Sequence, residues 1–439
     1  MIKKLLSTPG IRIGIALAFG CGTAFAQQAP TALREFNANN TSATSAVNGS
    51  SQSAADTRFG SVSKVSIHTL LGSKSSTHIY AHLMPWFGTK GHIDVGYDSA
   101  DRNQVKRQID DMVSRGIDGV IVYWTGASKT GNAAHATDVA MKVRKEAEQH
   151  SGFQFAIQED KQALKECAKE RCDVTATLIG DLQYAAKNFF GSRAYMSMNG
   201  RPLLFFFGLE EYKNSIDWNV VRAAVPGNPL FVFRNSVGFD YPQSDGAFAW
   251  NVIDKADPND VGLGYLDHFY KVAAQHVGAV SLGSAYPGFD DQLAAWFRHR
   301  LINRNCGDTW LKTLDEAKRH VDAFMGLQLV TWNDYEEGSH IEPGIDNCVS
   351  VQASVSTDTL QWTITGSEAT IHHFAVWVST DKINYREVQE LPASNRGIAL
   401  SGLGLDAGQY YFVVQAIGQP SMLNHISAPV SAKLPSPSS

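Results

Sequence analysis

The chain has 439 residues, 44% of them apolar, and its 38 Lys and Arg against 43 Asp and Glu leave a net charge of −5. That length allows one large core and a smaller second one. So mild a balance, without basic clusters, excludes a nucleic-acid partner and an anionic membrane surface, both of which demand concentrated Lys and Arg.

Residues 1–26 read as a signal peptide. Lys3, Lys4 and Arg12 precede the apolar Ile13 to Phe19 and the small-residue site Ala24-Phe25-Ala26, so a secreted or periplasmic protein cleaved near Ala26 is expected. No stretch reaches the roughly 18 uninterrupted apolar residues of a membrane span, so no membrane role beyond export follows. Cys21 leaves lipid attachment as an alternative, although Ala18-Phe19-Gly20 before it lacks the usual Leu. Residues 27–60 are Ala, Ser, Asn, Thr and Gln with few large apolar side chains, a disordered linker that cannot bury enough surface to offset ordering entropy.

Over residues 61–347, short β-rich runs alternate with segments of helical period. The runs are THIYAHLMPW from Thr77, GVIVYWTG from Gly119, FQFAIQED from Phe153, RPLLFFFG from Arg201, PLFVFRNS from Pro229, GAFAWN from Gly246, GAVSLGSAYPG from Gly278 and LQLVTWND from Leu327. Helices are expected over Asp101–Gly116, Val139–His150, Thr175–Phe190, Leu263–His276 and Thr313–Met325. Eight strand-plus-helix units predict an α/β fold, a (β/α)8 TIM barrel. The competing doubly wound sheet lacks its Gly-rich dinucleotide turn. Residues 348–439 change texture to alternating strands without helices, a C-terminal all-β sandwich; LDAGQYYFVVQAIG there resembles the late-strand region of fibronectin type III domains. Trp362 and Trp377 offer themselves to a carbohydrate, but alternation favours the core. The even number of mature cysteines favours disulfides, Cys167 with Cys172 and Cys306 with Cys348, over a zinc site, for which no C-x-x-C or nearby His pair exists.

In such a barrel, functional residues sit at the carboxyl ends of the strands. There this chain carries Tyr80, His82 and Trp86, then Tyr123 and Trp124, then Glu159, Trp250 and Tyr286, and last Trp332, Asn333, Asp334 and Glu337. Aromatic faces stack on pyranose rings while amides and carboxylates bind hydroxyls, so a polysaccharide or oligosaccharide is the expected partner, bound by a monomer. No phosphate cradle, metal set or redox cofactor site is expected. An esterase is disfavoured because no G-x-S-x-G turn supplies a nucleophile.

The stretch TWNDYEEGSHIEP, Thr331 to Pro343, places Asp334 and Glu337 three apart, able to share one direction in a loop. Two carboxylates in one cleft suffice for glycoside hydrolysis. Glu336 and Glu342 are assigned to the surroundings. WNDYEEGSHIEP resembles the eighth-strand motif of glycoside hydrolase families 71 and 99, (β/α)8 enzymes acting on α-linked glycans. AHLMPWFG from Ala81, the second unit from Tyr97 and YPGFDD from Tyr286 extend that resemblance from Ile79 to Pro343. It implies a secreted hydrolase of α-1,3-glucan or α-mannan type polymers, with Glu337 as general acid and Asp334 as general base. It also implies sugar contacts for Trp124 and Glu159, although I-Q-E-D-K around Glu159 departs from the family pattern. The alternative is a catalytically silent glycan-binding or exopolysaccharide-assembly protein.

Overall fold

The structure is a computed structural model and describes residues 59–72, 76–212, 214–253 and 257–435. The signal peptide and nearly all of the linker lie outside the described residues.

Eight parallel strands close into a barrel: β1 (His78–Leu83), β2 (Gly119–Trp124), β3 (Gln154–Asp160), β4 (Arg201–Phe207), β5 (Leu230–Arg234), β6 (Gly246–Phe248), β7 (Val280–Ala285) and β8 (Gly326–Leu329). Closure comes from pairing of β1 with β8, Tyr80 opposite Gln328, and of β3 with β4, Gln158 opposite Phe205. All eight expected strands are present. Alternation along each strand divides side chains between the barrel interior and the helix layer. On β4, Phe207 meets Trp250 at 4.9 Å and Phe205 meets Phe248 at 5.8 Å inside, while Phe206 packs outward on Trp218 at 5.3 Å. Gly246 opens β6 because a Cβ there would stand 1.9 Å from the Val280 carbonyl oxygen.

The helix layer comprises α1 (Arg102–Ser114), α2 (Gly131–Ala147), α3 (Gln162–Glu170), α4 (Val174–Ala185), α5 (Trp218–Ala224), α6 (Leu263–Ala273) and α7 (Asp308–Arg319). Asp101 caps α1 by accepting from Asn103 N, and Asp173 caps α4 by accepting from Ala176 N. The eight-unit pattern is incomplete in two places. A 3-10 turn, Ser236–Asp240, replaces a helix after β5, and β8 runs into the acidic loop instead of a helix.

The C-terminal region packs a three-stranded antiparallel sheet against a five-stranded one. Their shared core includes Val351, Leu360 and Trp362 from the first sheet and Phe374, Val376, Phe412 and Val414 from the second. Trp362 is 2% exposed in that core, as alternation predicts. Trp377 instead lies on the opposite face of its strand from Phe374, Val376 and Val378, half-buried beneath Phe59 and donating from Nε1 to Gln415 Oε1 at 3.1 Å, so the expectation of a core position fails there. Both predicted disulfides are formed, Cys167–Cys172 and Cys306–Cys348, which fits an extracellular or other oxidising setting. No described helix is long and apolar enough to cross a membrane.

Candidate active site

Beyond β8 the chain passes a cis Val330–Thr331 peptide and folds back on itself. Thr331 N donates to Ser339 O at 3.0 Å, Ser339 N to Asp334 O at 3.1 Å, and Ile341 N to Thr331 O at 3.1 Å. Within this closed loop Thr331 Oγ1 accepts from Asp334 N at 2.9 Å, and Asp334 Oδ1 accepts from Glu337 N at 2.8 Å. Side-chain acceptance of nearby amides rigidifies a segment too short for regular structure. Gly338, at φ +59°, has Asp290 O 3.0 Å from the position a Cβ would take.

The neighbours of the acids separate their roles. Glu336 is buried and takes His92 Nδ1 at 2.9 Å and Ile93 N at 3.0 Å. Glu342 takes the hydroxyls of Tyr97 and Tyr335, each at 2.9 Å, with Gln104 and Gln108. Both anchor the loop to the segment after β1 and to α1. Asp334 is fully buried, and its Oδ2 has no hydrogen-bond partner. Burial first, then the Glu337 charge, pushes its carboxyl well above the usual range. Glu337 keeps 19% of its side chain exposed, and its Oε1 accepts from Trp296 Nε1 at 2.8 Å and Arg300 Nη2 at 3.3 Å. Burial raises its pKa, opposed by those two donors.

Around the pair lies an aromatic mouth. Trp86 stacks on His92 at 4.9 Å and meets Tyr123 edge-on at 5.1 Å and Trp296 at 6.0 Å. The Tyr123 hydroxyl lies against Asp160, whose carboxyl burial pushes up to about 7, and feels the Asp334 charge. Deeper, His82 sits edge-on to Trp250 at 4.8 Å beside Gln158; burial drives its pKa down to about 4, so it is neutral. Trp250 meets Phe207, which lies under the Arg234 guanidinium at 4.2 Å.

The expected site residues therefore divide. His82, Trp86, Tyr123, Trp250, Asp334 and Glu337 converge on the mouth or the interior just below it. Tyr80 fills the barrel floor, its hydroxyl 3.1 Å from Gln154, the first residue of β3. Trp124 faces the helix layer, donating to Thr137 Oγ1 at 2.8 Å and lying against Tyr184 and Phe189. Glu159 also points outward, to Asp181 on α4. Tyr286 is buried with its hydroxyl on Val261 O at 2.7 Å. Trp332 lies under Arg115 at 4.9 Å. Asn333 clips the end of β1, bonding Met84 N at 2.8 Å and Met84 O at 2.9 Å. These last six lie away from the mouth: Tyr80 shares the inward face of His82 but sits at the opposite end of the barrel, and strand parity or hydrogen bonding to the backbone turns the other five aside. Trp296, Arg300 and His92 escape the sequence reading, since none ends a β-rich run. Arg115 escapes it too; it holds the loop by donating to Ile341 O at 2.9 Å and Glu342 O at 2.7 Å.

Two side-chain groups among the described residues have cation-ligand chemistry, Asp110 with Glu146 and His150, and Asp267 with Glu316 and His320. Both lie in the helix layer, and Lys106, and Lys271 with Arg319, already offset their charge.

No family model and no curated protein matches this chain. Among solved structures, one titled "Glycoside hydrolase-like protein" matches at TM-score 0.46 and 12% identity, covering 61% of this chain and 87% of its own. An engineered protein matches at TM-score 0.37 and 11% identity over 85% of this chain and 97% of its own. The pectate lyase PelI of Erwinia chrysanthemi matches at TM-score 0.16 and 16% identity over 19% of this chain and 28% of its own. Likenesses this distant carry no argument about activity, so the reading of the site rests on its own residues.

Proposed function

We propose that the protein is a glycoside hydrolase acting on an α-linked polysaccharide of glucan or mannan type through the Asp334–Glu337 pair. The observation that carries this reading is the placement of two carboxylates on one rigid loop at the carboxyl end of β8, beside a mouth walled by Trp86, Tyr123 and Trp296 with Trp250 below it. Glu337 is the more exposed of the two, so it is the group that meets the glycosidic oxygen and protonates it as the bond to the anomeric carbon breaks. Asp334, with a bare Oδ2, takes a proton from an attacking water or from a sugar hydroxyl. In the resting site the proton of the pair belongs on Asp334, which has no cationic partner, and the charge on Glu337, which has Arg300. A sugar hydroxyl donating to Asp334 Oδ2 stabilises that anion and moves the proton to Glu337, readying the acid.

Incubation with a panel of α-glucans, α-mannans and bacterial exopolysaccharides, with the released anomer followed by NMR, tests this. Reducing ends from one α-linked polymer are expected; no product from any member of the panel overturns it. One observation favours the second reading, a silent glycan-binding protein: the resting pair is closed over, Asp334 by burial and Glu337 by Trp296 and Arg300. Tight glycan binding without product identifies that case.

A further inference from the structure

The segment after β7 forms an arm. Two short strands, Phe289–Asp290 and Leu301–Ile302, pair antiparallel and hold residues 291–300 between them. The fully buried Asp291 carboxylate closes this loop, accepting from Arg298 N at 3.1 Å, Arg300 N at 3.0 Å and Arg300 Nε at 2.8 Å. At the base, Asp290 N donates to Glu337 O at 2.7 Å, so arm and acidic loop move as one piece there. The tip behaves differently. Trp296 and Phe297 are 36% and 40% exposed, yet the Trp296 ring reaches Trp86 and His92, and its Nε1 meets Glu337 Oε1.

We propose that Trp296, with Arg300 behind it, is the positioning residue for Glu337: its indole N–H aims the carboxylate and keeps it ionised until a glycan enters. This inference deepens the proposed hydrolase reading and rests on it for its catalytic meaning. An N–H donor and a guanidinium both favour the charged form of a carboxylate. The charged groups facing Glu337 are Arg300 and Asp291 from the arm and Asp334 from its own loop, and only Arg300 favours the anion. A sugar ring wedged between Trp86 and Trp296 draws the indole from Oε1, and the buried carboxyl left behind takes up the proton it must deliver.

Trp296→Phe tests this, since it keeps an aromatic ring, though a smaller one, at the tip and removes the N–H donor. Glu337 is followed by its 13C carboxyl resonance in labelled protein, assigned by its disappearance in Glu337→Gln, while the pH profile of kcat/KM is recorded on the panel substrate. The Glu337 titration is expected to move up by about one pH unit, and the acid limb of the profile to move with it, because Asp334 holds the first proton of the pair. Arg300→Lys, which keeps a cation on buried Asp291, is expected to move it the same way by less. A Glu337 titration unchanged in Trp296→Phe overturns the proposal. The resonance reports without turnover, so absence of any substrate sinks the hydrolase reading alone.

Discussion

Asp334 and Glu337 are distinguishable by what they bond, and their substitutions should separate chemistry from folding. Asp334→Asn keeps an oxygen to accept the Glu337 amide, and Glu337→Gln keeps one for Trp296 and Arg300. Each is therefore expected to lower turnover by about two to four orders of magnitude, the usual contribution of a positioned proton-transfer group, while melting temperature moves by only a few degrees. Near-normal kcat in either variant would contradict the assignment. The acids of TWNDYEEGSHIEP were legible because a run of carboxylates after an apolar strand demands an explanation. Trp124 and Glu159 misled for a single reason: parity. Gln158 and Asp160 face the interior, so Glu159 between them must face α4, a fact that needs the strand's register with its neighbours. There, burial first, then the Asp181 and Asp160 charges, raise the Glu159 pKa well above its ordinary 4.5. The stability of the protonated form is complete below the unfolded value and is lost as pH climbs through the folded one. Glu159→Gln removes that loss. It is expected to be more stable than the parent at neutral pH, by about 1.4 kcal/mol per unit of upward shift, with the difference vanishing below about pH 4. Melting curves across pH check this, and a constant difference between the two proteins would rule it out.

At the scale of elements, strands were easier to read than helices or loops. A barrel strand is buried on both faces and shows as an apolar run, so all eight stood out, including the three-residue β6. Helix limits shifted because small residues hide the period. α2 begins at Gly131, with Asn132-Ala133-Ala134 in its first turn, eight residues before the expected start, and α7 begins at Asp308 rather than Thr313. The arm over Glu337 was invisible, since DQLAAWFRHR shows neither strand alternation nor helical continuity. Its function lies in the reach of Trp296 across the mouth, which no local pattern encodes. One non-local link was legible, Cys306–Cys348, which ties the start of α7 to the first strand of the C-terminal sheet across 42 positions. A loop of that length carries about 4 kcal/mol in the chain-entropy picture. Cys306→Ser is accordingly expected to lower melting temperature markedly without removing the acidic pair. The Cys167–Cys172 link, with a separation of 5, should matter less when Cys167→Ser is measured the same way, and the reverse order would refute the argument.

At the scale of the whole molecule, barrel and β-sandwich share one seam. Met422 of the C-terminal region is fully buried in the barrel's core cluster, beside Ile345. Backbone bonds cross at Ser63 N to Met422 O and Ile345 N to Ser421 O, both at 2.8 Å, and at Leu423 N to Ile345 O at 2.9 Å. Trp310, fully buried on α7, donates its indole N–H to Pro420 O at 3.0 Å. Phe59 then docks on Trp377 and Tyr385, and its carbonyl takes Gln415 Nε2 at 2.7 Å, so the segment leading into the barrel is held by the sandwich. Cutting the chain after Ile345 would strip the Met422 side chain from the core, leave a buried indole donor unpaired and open the Cys306 link. The two regions are therefore expected to unfold together. Calorimetry of the full chain should give one transition with calorimetric and van't Hoff enthalpies in agreement. Residues 59–345 alone should melt well below it or fail to fold. Two resolved transitions, or a barrel fragment as stable as the parent, would mean that the seam adds little and that the sandwich is a separable module.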